Sequence, residues 1–378
     1  MRASLLLLGL VVGEVFAGPI EEKPAPPVSW NADLALDAIV LPHRPAIEWN
    51  FESSLAFEAD LGPLLDLDDF YLYVRPTLTW GVENAHQWSV RLYQAWLSWD
   101  AGARWNWLVG LYDVGWHFHA LPSAAVFNRL PGRNTGSFSP GSLGLLDLFP
   151  LSAPAVRIEW KPTENFAVQT AVVWLGAEYN LAVHRLAPDL AASQGWLGLA
   201  EVVWEREGIE ANGFAHRRFG IGAWGMPVAQ LENSGRTPLG GYAFADIRVW
   251  SERDQPEEGV AVFASISVAN HRSGAPEKRA VGGFYWLGLF PHRPADGIAL
   301  AVITEDSAAT AATAATAATA GNAGNATPRR WRSAAQILHR IPIGDSASVE
   351  STLLWSQPST AESGGGGWKI GITLGVGF

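Results

Sequence analysis

Residues 47–61 read IEWNFESSLAFEADL and alternate in polarity along their length. The odd positions carry most of the large apolar side chains, beginning with Ile47 and Trp49, whereas four of the even positions carry a carboxylate, beginning with Glu48. Successive side chains of a β-strand point to opposite faces of a sheet. The stretch therefore predicts a strand with one apolar face and one acidic face.

The same two-residue alternation recurs along the chain and is also found in its last nine residues. It recurs in residues 70–75, 88–93, 156–161, 166–174 and 370–378. In the last of these, apolar residues alternate with small or polar ones as far as the terminal Phe378. Strands that alternate in this way from one end of a chain to the other predict an all-β, antiparallel fold.

Composition favours a membrane barrel over a soluble β-sandwich, whose strands also alternate. The chain has 19 tryptophans, no cysteine and a net charge of −11, and no run of about 18 apolar residues follows residue 17, which excludes a membrane-spanning helix. Tryptophan often begins or ends the apolar faces, which is typical of the aromatic girdles around a lipid-facing band. We therefore predict a transmembrane antiparallel β-barrel, with apolar faces towards lipid and charged faces towards a polar lumen.

The predicted organisation is a signal peptide, a leader and one barrel domain. Residues 1–17 combine Arg2, an apolar run and a small-x-small cleavage pattern, and the Pro- and Glu-rich residues 18–29 form a flexible leader. Strand patterns continue without a break over residues 30–378. This length accommodates sixteen strands of about ten residues, although fourteen or eighteen fit as well.

Two connectors differ from ordinary turns. Residues 307–325 are a low-complexity run of Ala, Thr, Gly and Asn, which predicts a long loop on the extracellular side. Residues 117–154 contain many Pro and Gly residues but also several Leu and Phe residues, so this connector is too apolar to extend freely into water. We predict that it folds towards the lumen and narrows it, and a cap on the barrel rim is the alternative.

Several segments in order are similar to the carbohydrate-selective porins of the OprB family. These segments are YQAWLSWDAGARWNWLVGLYD (93–113), FPLSAPAVRIEWKP (149–162), GGYAFADIRVW (240–250), FYWLGLFPHRPADGIALAVIT (284–304) and the terminal Phe378. The resemblance implies a barrel of sixteen antiparallel strands in the outer membrane of a Gram-negative bacterium, which admits sugars by diffusion.

A sugar-selective channel needs polar side chains that bind hydroxyl groups and aromatic faces that stack on sugar rings. Candidates lie where the polar faces of strands approach the 117–154 connector. The predicted pore-lining or solute-contact residues are Arg91, Tyr93, Asp113, His117, Arg129, Arg133, Arg157 and Glu159. An ordinary solvated lumen charge is the alternative interpretation of each.

The sequence thus predicts a passive outer-membrane porin that prefers small sugars and uses no cofactor. A general porin for ions and small solutes, or a secreted β-rich carbohydrate-binding or adhesion protein, are the alternatives. Catalysis is not predicted, because neither G-x-S-x-G nor H-E-x-x-H occurs and His117 and His119 have no evident third metal ligand. Expected partners are carbohydrates, outer-membrane lipid, the barrel-assembly machinery through Phe378 and other copies of the chain. Nucleic acid is not expected at this net negative charge.

Overall fold

The structure, a computed structural model, describes fourteen segments of the chain. They are residues 28–40, 47–65, 69–80, 88–124, 152–176, 193–210, 213–225, 239–252, 258–269, 278–290, 296–307, 330–343, 347–356 and 367–377. The predicted signal peptide, Phe378 and most of the 117–154 and 307–325 connectors therefore lie outside the described residues. No helix in the described segments is long and apolar enough to cross a membrane.

The described residues form sixteen antiparallel strands and three short helical turns, which confirms the predicted all-β, antiparallel fold class. The strands of the first half are β1 (Val28–Val40), β2 (Ile47–Asp60), β3 (Phe70–Trp80), β4 (Ser89–Asp100), β5 (Trp105–Asp113), β6 (Ser152–Thr163), β7 (Phe166–Gly176) and β8 (Ser193–Glu210). Those of the second half are β9 (Gly213–Gly225), β10 (Leu239–Ser251), β11 (Gly259–Ala269), β12 (Lys278–Leu287), β13 (Gly297–Ser307), β14 (Arg330–Ile343), β15 (Ala347–Ser356) and β16 (Gly367–Gly377). The turns are α1 (Gly62–Leu65), a 3-10 turn at Val114–Trp116 and a second 3-10 turn at residues 122–124.

Each strand pairs with the strands before and after it, and the first strand pairs with the last. The β1–β16 register runs from Asp33 opposite Gly377 to Val40 opposite Ile370. The terminal alternating stretch thus completes a closed barrel. Closure removes the unpaired edges that an open sheet would expose to lipid.

The connectors differ in length between the two rims of the barrel. Residues 164–165 and 211–212 make very short connections at one rim, whereas residues 114–151 and 308–329 join strands at the other. In outer-membrane barrels the short turns face the periplasm and the long loops face outside. We call the two ends the short-connector rim and the long-connector rim.

The outer face of the barrel is apolar and rich in tryptophan. Along β5, Trp105, Trp107 and Val109 are exposed, whereas the intervening Leu108 is buried. Trp88 and Trp160 are exposed in the same way. Alternation along the strands therefore places these tryptophans where lipid would surround the barrel.

The inner face is not uniformly polar, which corrects the expectation that the inward strand faces are charged and line a polar lumen. Leu197, Leu199 and Val203 lie on the same face of β8 as Glu201, and all of them are buried. They belong to an apolar cluster that includes Phe118 from the connector after β5. Because a chain segment packs against part of the inner wall, that part of the wall is a dry core rather than a wet surface.

Candidate functional site

The site begins at the Val-Gly-x-x-Asp sequence at the end of β5. Gly110 has φ +144°, and a Cβ there would overlap the carbonyl oxygen of Ala95 on β4, so only glycine fits without strain. The Asp113 carboxylate accepts a hydrogen bond from the Gly115 N–H (2.9 Å) and caps the 3-10 turn that follows. This turn starts the segment formed by residues 114–124, which we call the inner segment.

Tyr93 reaches Asp113 because of a β-bulge. The β3–β4 register shifts between Arg75, which lies opposite Gln94, and Pro76, which lies opposite Leu92, so Tyr93 is the extra residue. Its hydroxyl donates to Asp113 Oδ2 at 2.5 Å. Beyond the bulge the exposed outer positions of β4 change from even to odd numbers, as at Leu97. Bulges re-aim side chains in this way and are frequent near functional sites.

Two buried carboxylates hold the inner segment against the inner wall of the barrel. Glu201 on β8 accepts from the His119 backbone N–H (2.6 Å) and from the Tyr242 hydroxyl (2.6 Å). Asp246 on β10 accepts from both the backbone N–H (2.8 Å) and the hydroxyl (2.6 Å) of Ser123. Both carboxylates are at most 1% exposed. We call Glu201 and Asp246 the carboxylate clasp.

A polar network extends the clasp around the wall. The Gln169 side-chain amide donates to Glu201 Oε1 (2.7 Å) and to the backbone carbonyl of His117 (2.7 Å). The Arg157 guanidinium donates to Gln169 (2.9 Å), to Asn106 (3.0 Å) and to Glu159. Arg157 is only 6% exposed, so this network lies within the protein rather than on the open lumen.

Apolar packing reinforces these hydrogen bonds. Phe118 and Ala124 of the inner segment are fully buried. The His119 ring lies 4.7 Å from the Tyr242 ring and 5.5 Å from the Phe244 ring, measured between centroids. The Tyr242 ring lies over Gly222 on β9, where any Cβ would overlap it. The inner segment is therefore bound by packing as well as by polar contacts.

One part of the inner segment faces open space. Trp116 is 50% exposed, and the Arg75 guanidinium lies 5.8 Å from its ring centroid and 5.8 Å from that of Tyr93. Arg75 also donates to the Ser54 hydroxyl (2.9 Å). The arrangement combines two aromatic rings, a guanidinium and a nearby carboxylate, Asp113. These groups can stack on a flat apolar face and hydrogen-bond to hydroxyl groups.

Both histidines of the inner segment have depressed pKa values. The pKa of His117 falls from 6.5 to about 3, mainly because the side chain is buried and to a lesser extent because of the positive charge of Arg157. The pKa of His119 also falls from 6.5 to about 3, mainly through burial and to a lesser extent through the charge of Arg279. The unfolded chain would bind these protons below about pH 6.5. The free energy of unfolding that depends on these histidines is therefore fully present above about pH 6.5 and is lost as the pH falls towards 3.

We expect each histidine to remove up to roughly 1.4 kcal/mol of folding free energy per pH unit in this window. Urea unfolding in detergent between pH 7 and pH 4 measures the loss. The His119→Phe variant keeps an aromatic ring beside Tyr242 but cannot titrate, so its stability should fall less steeply with pH. An equal slope in both proteins would contradict the assignment.

The predicted candidates fall into three groups. Tyr93 and Asp113 lie together at the start of the inner segment, and His117 follows them in that segment, with its ring 5.4 Å from that of Tyr112. Arg157 and Glu159 lie together in the wall network. The side chain of Arg91 and all of Arg129 and Arg133 lie outside the described parts of the structure.

Sequence reasoning missed Arg75 and Trp116 as site residues, and it missed Gln169 and both clasp carboxylates. A signal for the clasp was present, because Glu201 lies between the apolar Leu199 and Val203 on its face of β8. An isolated carboxylate in an apolar row requires a buried donor. Nothing in the local sequence identifies that donor.

Comparison with known proteins agrees with this architecture. The high-pH structure of Pseudomonas putida OprB superposes with a TM-score of 0.74 at 16% identity, over 93% of this chain and 94% of that one. Salmonella typhi OmpF in complex with daunomycin superposes with a TM-score of 0.57 at 9% identity, over 93% of this chain and 97% of that one. The outer membrane channel DcaP of Acinetobacter baumannii superposes with a TM-score of 0.54 at 12% identity, over 93% of this chain and 97% of that one. These likenesses show the porin fold.

No curated protein matches the chain in sequence. The family model of the carbohydrate-selective porins, OprB family, matches residues 78–356. This range includes the bulge at Tyr93, the inner segment and both clasp carboxylates. The chain therefore belongs to the OprB family of carbohydrate-selective porins, which are channel proteins of the bacterial outer membrane.

Proposed function

We propose that this porin passes small neutral sugars by passive diffusion and prefers them to other solutes of similar size. The observation that carries the proposal is the position of the Arg75 guanidinium, 5.8 Å from the ring centroids of both Trp116 and Tyr93. Aromatic faces bind the apolar face of a sugar ring, and a guanidinium donates several hydrogen bonds to its hydroxyl groups. Such contacts are individually weak, so a bound sugar also leaves readily.

The eight predicted site residues divide by role in this proposal. Tyr93 and His117 are proposed solute contacts, because both are only half-buried. Asp113, Arg157 and Glu159 act as positioning residues, since the first holds the start of the inner segment and the other two belong to the wall network. Arg91, Arg129 and Arg133 remain proposed solute contacts from the sequence alone.

The test is single-channel current in a planar bilayer with added glucose. Glucose should reduce the current of the wild-type channel. Trp116→Ala should weaken glucose binding about fivefold, because one aromatic stacking contact contributes about 1 kcal/mol. Trp99→Ala is the matched control, because Trp99 is 38% exposed on the outer face and should leave glucose binding unchanged. A wild-type current that saturating sugar does not alter would favour a general porin instead.

Other features of the mature protein remain proposals from sequence. We propose cleavage after residue 17, recognition of the terminal strand and Phe378 by the assembly machinery, and association with further copies of the chain. Heat-modifiable migration of the purified protein tests barrel assembly, and its mass in detergent tests oligomerisation. A secreted binding module would instead stay monodisperse without detergent.

A further inference from the structure

Two arginines face each other on the outer surface of the hairpin formed by β8 and β9. The strand register places Arg206 directly opposite Arg217. Alternation puts Arg206 on the same face of β8 as the exposed Ala200, and Arg217 on the same face of β9 as the exposed Ile221. Directly opposed residues of antiparallel strands have Cβ atoms about 5 Å apart, and like charges at such positions repel. The arginine pair therefore favours a negative charge between its side chains.

The carboxylate next to the pair in sequence lies on the other face of the sheet. Glu205 precedes Arg206 on β8 and points inward, where its side chain forms an ion pair with Arg218. Glu205 therefore compensates a cation of the inner face and does not lie between the two outer arginines.

An aromatic pair lies beside the arginines on the same outer face. Trp204 and Phe219 are directly opposite each other, and their ring centroids are 5.6 Å apart. Each is two residues from an arginine, which is about 6.8 Å along a strand. Outward aromatic rings in outer-membrane barrels lie at the boundary between hydrocarbon and headgroups. The arginine pair lies one step beyond this boundary, towards the short-connector rim, where headgroups are expected.

The length of the uncharged outer face of β8 supports this position. The outward residues between Trp196 and Arg206 are Gly198, Ala200, Val202 and Trp204. The 10 residues from Trp196 to Arg206 extend about 34 Å along the strand, or about 25 Å across the membrane at the usual strand tilt. This matches the height of the apolar band of an outer-membrane barrel. Trp196 and the arginine pair therefore mark the two edges of the band.

We propose that Arg206 and Arg217 bind the phosphate of one anionic phospholipid in the periplasmic leaflet of the outer membrane. The short connectors of such barrels face the periplasm, so the pair meets the headgroups of that leaflet. Each guanidinium presents a planar set of donors that matches phosphate oxygens, and the negative charge removes the repulsion between the two cations. The acyl chains of the lipid lie against Trp204 and Phe219. The site is outside the lumen and does not depend on the solute that the channel passes.

Native mass spectrometry of the full-length channel in detergent, with equal amounts of phosphatidylglycerol and phosphatidylcholine, tests this site. The wild-type channel should retain one phosphatidylglycerol in preference to phosphatidylcholine. Arg206→Gln and Arg217→Gln should each weaken phosphatidylglycerol binding about fivefold, and the double variant about twenty-five-fold, because one cation at the headgroup level contributes about this factor. Single-channel conductance should stay at the wild-type value, since neither side chain faces the lumen.

Arg104→Gln is the matched control, because Arg104 is exposed in the turn between β4 and β5 at the same rim and its replacement removes the same charge. Its phosphatidylglycerol binding should equal that of the wild type. Equal losses in the Arg104 and Arg206 variants would show attraction to net charge alone and overturn the site. Equal retention of the two lipids by the wild type, or complete displacement of phosphatidylglycerol by inorganic phosphate, would also overturn it.

Urea unfolding in lipid-free detergent provides a second test of the arginine pair. Each single glutamine variant removes the repulsion between Arg206 and Arg217, so it should unfold at a urea concentration no lower than the wild type does. Heat-modifiable migration checks that the variant barrels are assembled. A lower unfolding midpoint in both single variants would contradict the repulsion on which the site rests.

Discussion

Replacement of Glu201 by alanine should release the inner segment from the barrel wall and raise single-channel conductance. The change leaves the His119 N–H, the Tyr242 hydroxyl and the Gln169 amide without their common acceptor. A buried donor left without a partner costs roughly 1–3 kcal/mol. The combined cost of three such donors therefore opposes the stabilisation that the packing of Phe118 and Leu121 gives the inner segment. Conductance in planar bilayers should rise and the current should become noisier than that of the wild type.

Glu205→Ala is the matched control for this prediction. Glu205 lies four residues further along β8 on the same inward face, but it pairs with Arg218 near the short-connector rim rather than with the inner segment. Its removal should leave conductance close to the wild-type value. If both variants behave alike, the conductance change reflects loss of lumen charge. If Glu201→Ala has wild-type conductance, apolar packing alone holds the segment.

Gly110→Ala should destabilise the barrel by about 3 kcal/mol, because the cost of backbone strain adds to the cost of overlap with the neighbouring strand. The φ of +144° is unfavourable for any residue with a Cβ, and this Cβ would overlap the Ala95 carbonyl and approach the Trp96 side chain. Strain at this point also displaces Asp113, three residues later, and with it the cap of the 3-10 turn. Urea unfolding in detergent, followed by tryptophan fluorescence, measures the change.

Gly198→Ala is the control for the added methyl group. A Cβ at Gly198 would meet only the Gly225 carbonyl oxygen at an ordinary 3.8 Å, and its backbone has no positive φ. The substitution should change stability by less than about 1 kcal/mol, in the direction of a small gain, because alanine restricts the unfolded chain. If both alanine variants lost the same free energy of unfolding, the barrel would be sensitive to any added methyl group, and Gly110 would have no special role.

Local pattern was sufficient to predict the strands and most of their faces. The 47–61 stretch forms β2 over Ile47–Asp60, with Phe57 exposed and Ser54 and Ala56 buried, as its alternation predicts. The pattern was less informative at β4, because the bulge at Tyr93 reverses the numbering of the inward face halfway along the strand. A bulge arises from the pairing of two strands, and β4 alone carries no mark of it.

The contacts of the inner segment could not be predicted in the same way. Its hydrogen bonds to Glu201 and Asp246 join residues that are 82 and 123 positions apart in the chain. Which inward residue meets the segment depends on the register of every strand between β5 and β10 and on the curvature of the closed wall. The same dependence explains why the inner face of β8 is a dry core within a barrel whose lumen was predicted to be polar.

By itself the sequence determined the all-β class, the outward apolar faces and the family, because strand period and short motifs are properties of neighbouring residues. Only the tertiary structure decided which lumen residues are buried beneath the inner segment and which remain open. Arg157 and Arg75 show the difference, since both lie on inward faces. The inner segment covers the wall around Arg157 but leaves Arg75 beside the exposed Trp116 ring. Whether a side chain points inward or outward follows from the alternation of its own strand. Whether an inward side chain can contact solute depends on which other parts of the chain pack against it inside the barrel.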